Sequence, residues 1–208
     1  MLVLCQSDRH FLAFSDTTRN ERHRSGCRYL RFGFESGNQR GLKLMDKATK
    51  LDAIETNLPM PSEAEIWNHI MGFFGFPGET REEAEDSKRF VLRNREHVHS
   101  LGFMTYVLGK YSPVAFEPEK YGVSYYKNPE WDLAMDYYFT LKEGLNIQEA
   151  LDVFEEFERN HDQKWDLRTC VREYVYLYIE HFGNNNLPQL KMRTDQRKEH
   201  HHTSVGMV

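Results

Sequence analysis

Gly72-Phe73-Phe74-Gly75-Phe76-Pro77-Gly78-Glu79-Thr80 closes an apolar, aromatic run that starts at Ile66. Such a run predicts a strand buried on both faces, as in a parallel sheet. Pro77 and Gly78 stop it. Thr80 is then placed to cap a helix, and Glu83 completes the capping-box pattern ahead of Ala84, Ser87, Val91 and Asn94.

Upstream, Phe32-Gly33-Phe34-Glu35-Ser36-Gly37 ends another apolar stretch in the same manner. The alternation from Arg28 puts Leu30, Phe32 and Phe34 on one face of a strand. Leu42, Leu44 and Met45 suggest a short helix, and a weaker helical stretch from Leu51 to Asn57 is expected to be broken by Leu58-Pro59-Met60-Pro61. Downstream, Leu101 to Leu108, closed by Gly109, reads as a third strand. Strands and helices alternating in this way argue for right-handed βαβ units, an α/β fold with a parallel sheet. Both glycine-lined turns then lie at the carboxyl ends of strands, the edge where such folds place ligands.

The character changes after the loop from Tyr111-Ser112-Pro113 to Tyr121-Gly122. Ser124 to Leu145 is aromatic and in part extended. Asn146, with Glu149, is placed to cap a helix carrying Ile147, Ala150, Leu151, Phe154 and Phe157 on one side. A last helix is expected from Leu167 to Phe182, presenting Cys170, Val171, Tyr174 and Tyr178, and Gly183 with the three asparagines after it stops it. The expected organisation is a poorly defined segment at residues 1–27, the strand-helix unit at 28–122, an α-rich region at 123–183 and a flexible polar tail at 184–208 that includes His200, His201 and His202.

With 208 residues, 39% hydrophobic and 13% aromatic, the chain has globular composition. A net charge of −5 supplies no basic field, so neither nucleic acid nor an anionic membrane surface is an expected partner. No apolar run approaches the roughly 20 residues that cross a bilayer. The start lacks a basic segment and a long apolar core, so a cytoplasmic location is expected. Cys5, Cys27 and Cys170 are odd in number and far apart, which argues against a disulfide framework and against a closely spaced thiolate set for zinc or iron.

Gly75 and Gly78 would let a ligand approach the main chain, Pro77 stiffens the turn, and the start of the next helix suits a carboxylate or phosphate. The same residues also make an ordinary strand-to-helix connection. They are not a P-loop, because the glycine and lysine that motif needs are Phe73 and Glu79 here. Glu35, with Ser36 beside it, offers acceptors to a ribose diol or an amino group, and Lys47 is placed to return over the same strand end and pair a carboxylate. Each is equally compatible with a solvated surface charge. The pairs Glu82-Glu83 and Glu155-Glu156 read as solvated helix faces.

Gly26-Cys27-Arg28, Phe32-Gly33-Phe34-Glu35-Ser36-Gly37-Asn38-Gln39-Arg40, Leu44-Met45-Asp46-Lys47, Gly75-Phe76-Pro77-Gly78-Glu79-Thr80, Ser112-Pro113 and Pro118-Glu119-Lys120-Tyr121-Gly122 follow one another in an order that resembles the second half of a radical S-adenosylmethionine enzyme. The resemblance is to the branch that carries a cobalamin-binding domain, and it covers residues 26–122. It implies a partial (β/α) TIM-type barrel with parallel strands, followed by a mostly helical C-terminal region. It also implies S-adenosylmethionine lying across the strand ends beside a four-iron, four-sulfur cluster. Glu35 would contact the cofactor's polar groups, Lys47 would face its carboxylate, and the turn from Gly75 through Pro77 to Gly78 would pack by the adenosine. The cluster-binding CxxxCxxC is absent from the sequence, and Ala48 and Glu65 stand where the family commonly has glycine. The expectation is therefore a fragment, inactive alone, that needs an upstream polypeptide to supply the missing half-barrel. The alternative is a non-catalytic remnant that binds a nucleoside or a protein.

Overall fold

The computed structural model describes Cys27, residues 29–126 and residues 135–160. The expectations for residues 1–26, for the helix at 167–182 and for the tail with its three histidines, together with Cys5 and Cys170, lie outside the described residues.

Three strands, β1 (Tyr29–Glu35), β2 (Trp67–Phe74) and β3 (Ser100–Thr105), form a parallel sheet in that order. Phe32 pairs with Ile70 and Ile70 with Leu101. Between β1 and β2 run α1 (Gln39–Leu44), α2 (Leu51–Asn57) and α3 (Pro59–Glu63); between β2 and β3 runs α4 (Arg81–Arg93). Helix α2 ends at Asn57 as expected, but a second short helix starts at once on the prolines. Pro59 occupies the first position of α3, where its missing N–H has no intrahelical partner to lose and its fixed φ suits the turn.

Alternation sorts the strand residues onto two faces. Leu30, Phe32, Phe34, Ile70 and Phe74 pack with Ile54, Leu58, Ala84, Phe90 and Val91 of the helices, and the Phe34 and Phe90 rings lie 4.7 Å apart. The other face carries Tyr29, Arg31, Gly33, His69, Met71, Ser100 and Gly102. Among the described residues β1 and β3 each keep one unpaired edge, so the fold is a three-stranded α/β layer and no barrel closes there.

The third strand ends earlier than its apolar run. Tyr106 still donates its N–H to Phe74, and the chain then leaves the sheet. Leu108–Gly109 (β4) instead pairs antiparallel with β6 (Asp136–Leu141), which pairs with β5 (Val123–Tyr126). This second sheet packs Leu108, Val123 and Phe139 against Phe76 and Val114. Within the region expected to be α-rich, the described residues therefore give two antiparallel strands and one long helix, α6 (Ile147–Asn160). Asn146 and Glu149 cap α6 reciprocally, at 2.8 and 2.9 Å. Its buried residues are Ala150, Val153 and Phe157, whereas Ile147 is 48% exposed, so the apolar stripe is rotated from the expected one. The short α5 (Pro113–Phe116) follows Ser112, whose side chain caps it. No helix among the described residues is long and apolar enough to cross a membrane.

Candidate functional site

Glu35 ends β1 at an irregularity: the β1–β2 register shifts between Gly33 and Glu35, and Glu35 takes φ 63 opposite Gly72. A left-handed conformation at a non-glycine residue is strained and clusters at functional positions. It turns the carboxylate back along the strand, so that a Cβ on Gly33 would stand 3.1 Å from Glu35 Oε1. Lys47, delivered by the turn after α1, places Nζ 3.2 Å from the same oxygen. Both side chains are partly buried, so the pair is screened less than one on the open surface.

β2 runs parallel to β1, and Gly75, Pro77 and Gly78 follow its carboxyl end directly. The turn and Glu35 thus share one rim. Gly75 and Gly78 adopt φ +85 and +84, which only glycine takes at no steric cost. Their surroundings differ. A Cβ on Gly75 would meet Ala150 Cβ at 2.6 Å, so α6 already fills that space, whereas at Gly78 only Leu44 would come within contact distance, at 3.8 Å. Pro77 is buried, and Gly78 is where the turn stays open.

Glu79 holds the turn from within. Its Oε2 accepts the Gly75 N–H at 2.6 Å, its main-chain oxygen accepts the Leu145 N–H at 2.8 Å, and Oε1 is buried with no hydrogen-bond partner. At 1% exposure, burial pushes this carboxyl up to about 7 against the opposing pull of the Gly75 amide. Arg40 spans the outside of the turn, donating to Gly78 O at 2.6 Å and pairing with Glu83 through both carboxylate oxygens. Burial opposes ionisation of Glu83, but Arg40 and the Thr80 N–H hold it below the usual carboxylate range.

Ser36 is placed differently from Glu35. Fully buried, it accepts the Asn38 N–H at 3.2 Å and lies 3.5 Å from Ser87 Oγ, which in turn accepts the Gly37 N–H at 2.8 Å. It ties the β1–α1 turn to α4. Of the six residues expected at the site, the structure brings Glu35, Lys47 and Gly78 to an accessible rim, with Gly75 and Pro77 packed beneath it and Ser36 turned into the helix layer.

Sequence reasoning did not single out Glu79, Arg40 or the aromatic group behind the turn. The Phe76 ring lies 5.2 Å from Tyr106 and 6.0 Å from Tyr121. The signal for Glu79 was available: a carboxylate between a glycine and a capping threonine, in a strand-to-helix turn that burial would close.

Cys27 sits before β1, at the rim opposite Glu35, buried and with Sγ 3.9 Å from Tyr29 O. Among the described residues no group of three or more His, Cys, Asp or Glu side chains could hold a metal ion. An iron-sulfur cluster does not fit the donors present, so no chemistry is derived through one.

A parallel sheet with its charged and glycine-lined turns on the carboxyl rim is a layout shared by many α/β enzymes. No family model and no curated protein matches the chain. Solved structures do. The radical S-adenosylmethionine methyltransferase TsrM from Kitasatospora setae, with tryptophan substrate and the analogue aza-SAM bound, aligns at TM-score 0.57 and 16% identity over 77% of this chain and 36% of its own. The same enzyme with cobalamin and a [4Fe-4S] cluster bound aligns at TM-score 0.48 and 18% identity, over 62% and 26% of the two chains. The archaeal Elp3 of Methanocaldococcus infernus, lacking residues 1–46, aligns at TM-score 0.54 and 13% identity over 80% and 39%. At these identities the likeness is one of fold: the chain resembles part of the fold of these structures and spans well under half their length.

Proposed function

We propose that these 208 residues are the nucleoside-facing part of a radical S-adenosylmethionine enzyme, with the cluster-bearing strands carried by other residues. The observation that carries this reading is the Glu35–Lys47 pair at the carboxyl rim of a parallel sheet, the rim from which the Gly78 turn also leaves. Glu35 offers acceptors suited to a ribose diol or an amino group, Lys47 balances its charge, and Gly78 presents no side chain to block the rim. The residues described here would bind and orient the nucleoside. No residue is assigned to cobalamin. The unpaired edges of β1 and β3 suit further parallel strands, and we assign the missing half-barrel to that position.

Calorimetry with S-adenosylhomocysteine tests the reading. The chain should bind it saturably, and Glu35→Ala should weaken binding by about tenfold or more, as expected when a charge-assisted hydrogen bond is lost. Absence of heat with both proteins would leave only a protein-interaction role.

A further inference from the structure

The sheet face turned away from the helices carries a row of polar side chains two levels inward from the rim, past Gly33. Arg31, His69 and Ser100 are register partners across β1, β2 and β3. Ser100 Oγ lies 2.8 Å from Trp67 Nε1 and 2.7 Å from His69 Nδ1. The indole is a donor only, so Oγ accepts from it. Ser100 Oγ is fully buried, and with no other acceptor for its hydroxyl among the described residues we assign its proton to His69 Nδ1, which places the ring proton on Nε2. Burial first, and the Arg31 charge second, push His69 down to about 4, so the ring is neutral at pH 7. Nε2 projects over Gly102, where a Cβ would stand 2.8 Å from it.

Arg31 is the anomaly in this row. One of its nitrogens reaches Met71 Sδ at 2.7 Å, and its Nε is buried without a partner. A thioether is a weak acceptor, and among the described residues no carboxylate pairs with this guanidinium. The guanidinium is partly exposed, but its Nε–H is desolvated with nothing among the described residues to donate to, a deficit an oxyanion would fill. Arg31 and its neighbours Gly33, Met71 and Gly102 are partly exposed and Met104 is 56% exposed, so this end of the row is open to a small molecule, with His69 and Ser100 buried behind it.

We propose that Arg31 and His69 form a subsite for an oxyanion, a carboxylate or phosphate group of the molecule bound on this face, about 13 Å of strand inward from Glu35. The inference rests on the reading above that the carboxyl rim of this sheet bears the ligand, which would extend from there onto this face. Arg31 would supply the planar fork and His69 Nε2 a neutral donor.

The Arg31 Nε–H and His69 Nε2–H signals, followed by NMR in the full chain, are titrated with sodium acetate and with inorganic phosphate against sodium chloride at matched ionic strength. A saturable shift of both signals with either oxyanion, absent with chloride, is expected, and the effective anion names the group. Arg31→Lys should keep the fold and weaken the response of the His69 signal by about tenfold, since an ammonium lacks the fork, and Arg31→Met should abolish it. No saturable shift with either anion, or an unchanged His69 response in both variants, overturns the subsite. S-adenosylhomocysteine calorimetry on Arg31→Met reports on the rim independently: unchanged heat preserves that reading whatever the anion result.

Discussion

Ala150 occupies the space that a side chain at Gly75 would need, the two Cβ atoms being 2.6 Å apart if Gly75 carried one. The turn after β2 is therefore locked to α6. Gly75→Ala combines this overlap with a positive φ and should cost about 3 kcal/mol or more in urea unfolding. Ala150→Gly in the same chain should recover the part due to overlap. Gly78→Ala, with nearly the same φ but open space, should cost about 1 kcal/mol.

Glu79 and His69 make opposed contributions to the pH dependence of stability. Glu79 rises in the fold from 4.5 to about 7, so the native state binds its proton more tightly; that stability is full below 4.5 and is lost as pH rises to 7. His69 falls from 6.5 to about 4, so its contribution is full above 6.5 and is lost as pH falls to 4. The two offset between about pH 4.5 and 6.5, each amounting to at most about 3 kcal/mol. Urea midpoints should accordingly change little over this window in the parent chain. They should rise on acidification in His69→Gln and fall on acidification in Glu79→Gln.

Ser36→Ala separates packing from binding. The variant loses the acceptor of the Asn38 N–H and should be destabilised by about 1 to 2 kcal/mol. Its affinity for S-adenosylhomocysteine should remain that of the parent, because the side chain faces α4 rather than the rim.

Anaerobic reconstitution of these 208 residues with iron and sulfide should give no thiolate-to-iron charge-transfer absorbance. Cys27 is the one cysteine among the described residues, and it lies at the opposite rim from Glu35. A stoichiometric cluster that cleaves S-adenosylmethionine would contradict the assignment of the cysteines to other residues.

The local features of the fold were legible in the sequence because they are decided within a few residues. The Thr80 and Glu83 capping box is present with both reciprocal bonds, and Leu30, Phe32 and Phe34 share the buried face their alternation implied. What sequence could not carry depends on distant neighbours. Ser36 looks like a rim residue until Ser87 is placed beside it, and Gly75 looks open until Ala150 is. Leu108 continues an apolar run, yet β6 recruits it to another sheet. Glu65 stands where the resembling family commonly has glycine, and it adopts φ 56, the conformation such a glycine would serve. Ala48 has no such backbone. Lys47 is expected from the sequence to return over the strand end that carries Glu35, and the strained bend at Glu35 brings the two side chains into contact.

The most direct test is whether Glu35 and the Gly78 turn answer to one ligand. Amide resonances of both, followed by NMR as S-adenosylhomocysteine is added, should move together and fit a single dissociation constant, with Ser87 on the helix layer unmoved. Movement of only one of the two, different constants for each, or no movement at either would contradict a shared nucleoside pocket at this rim.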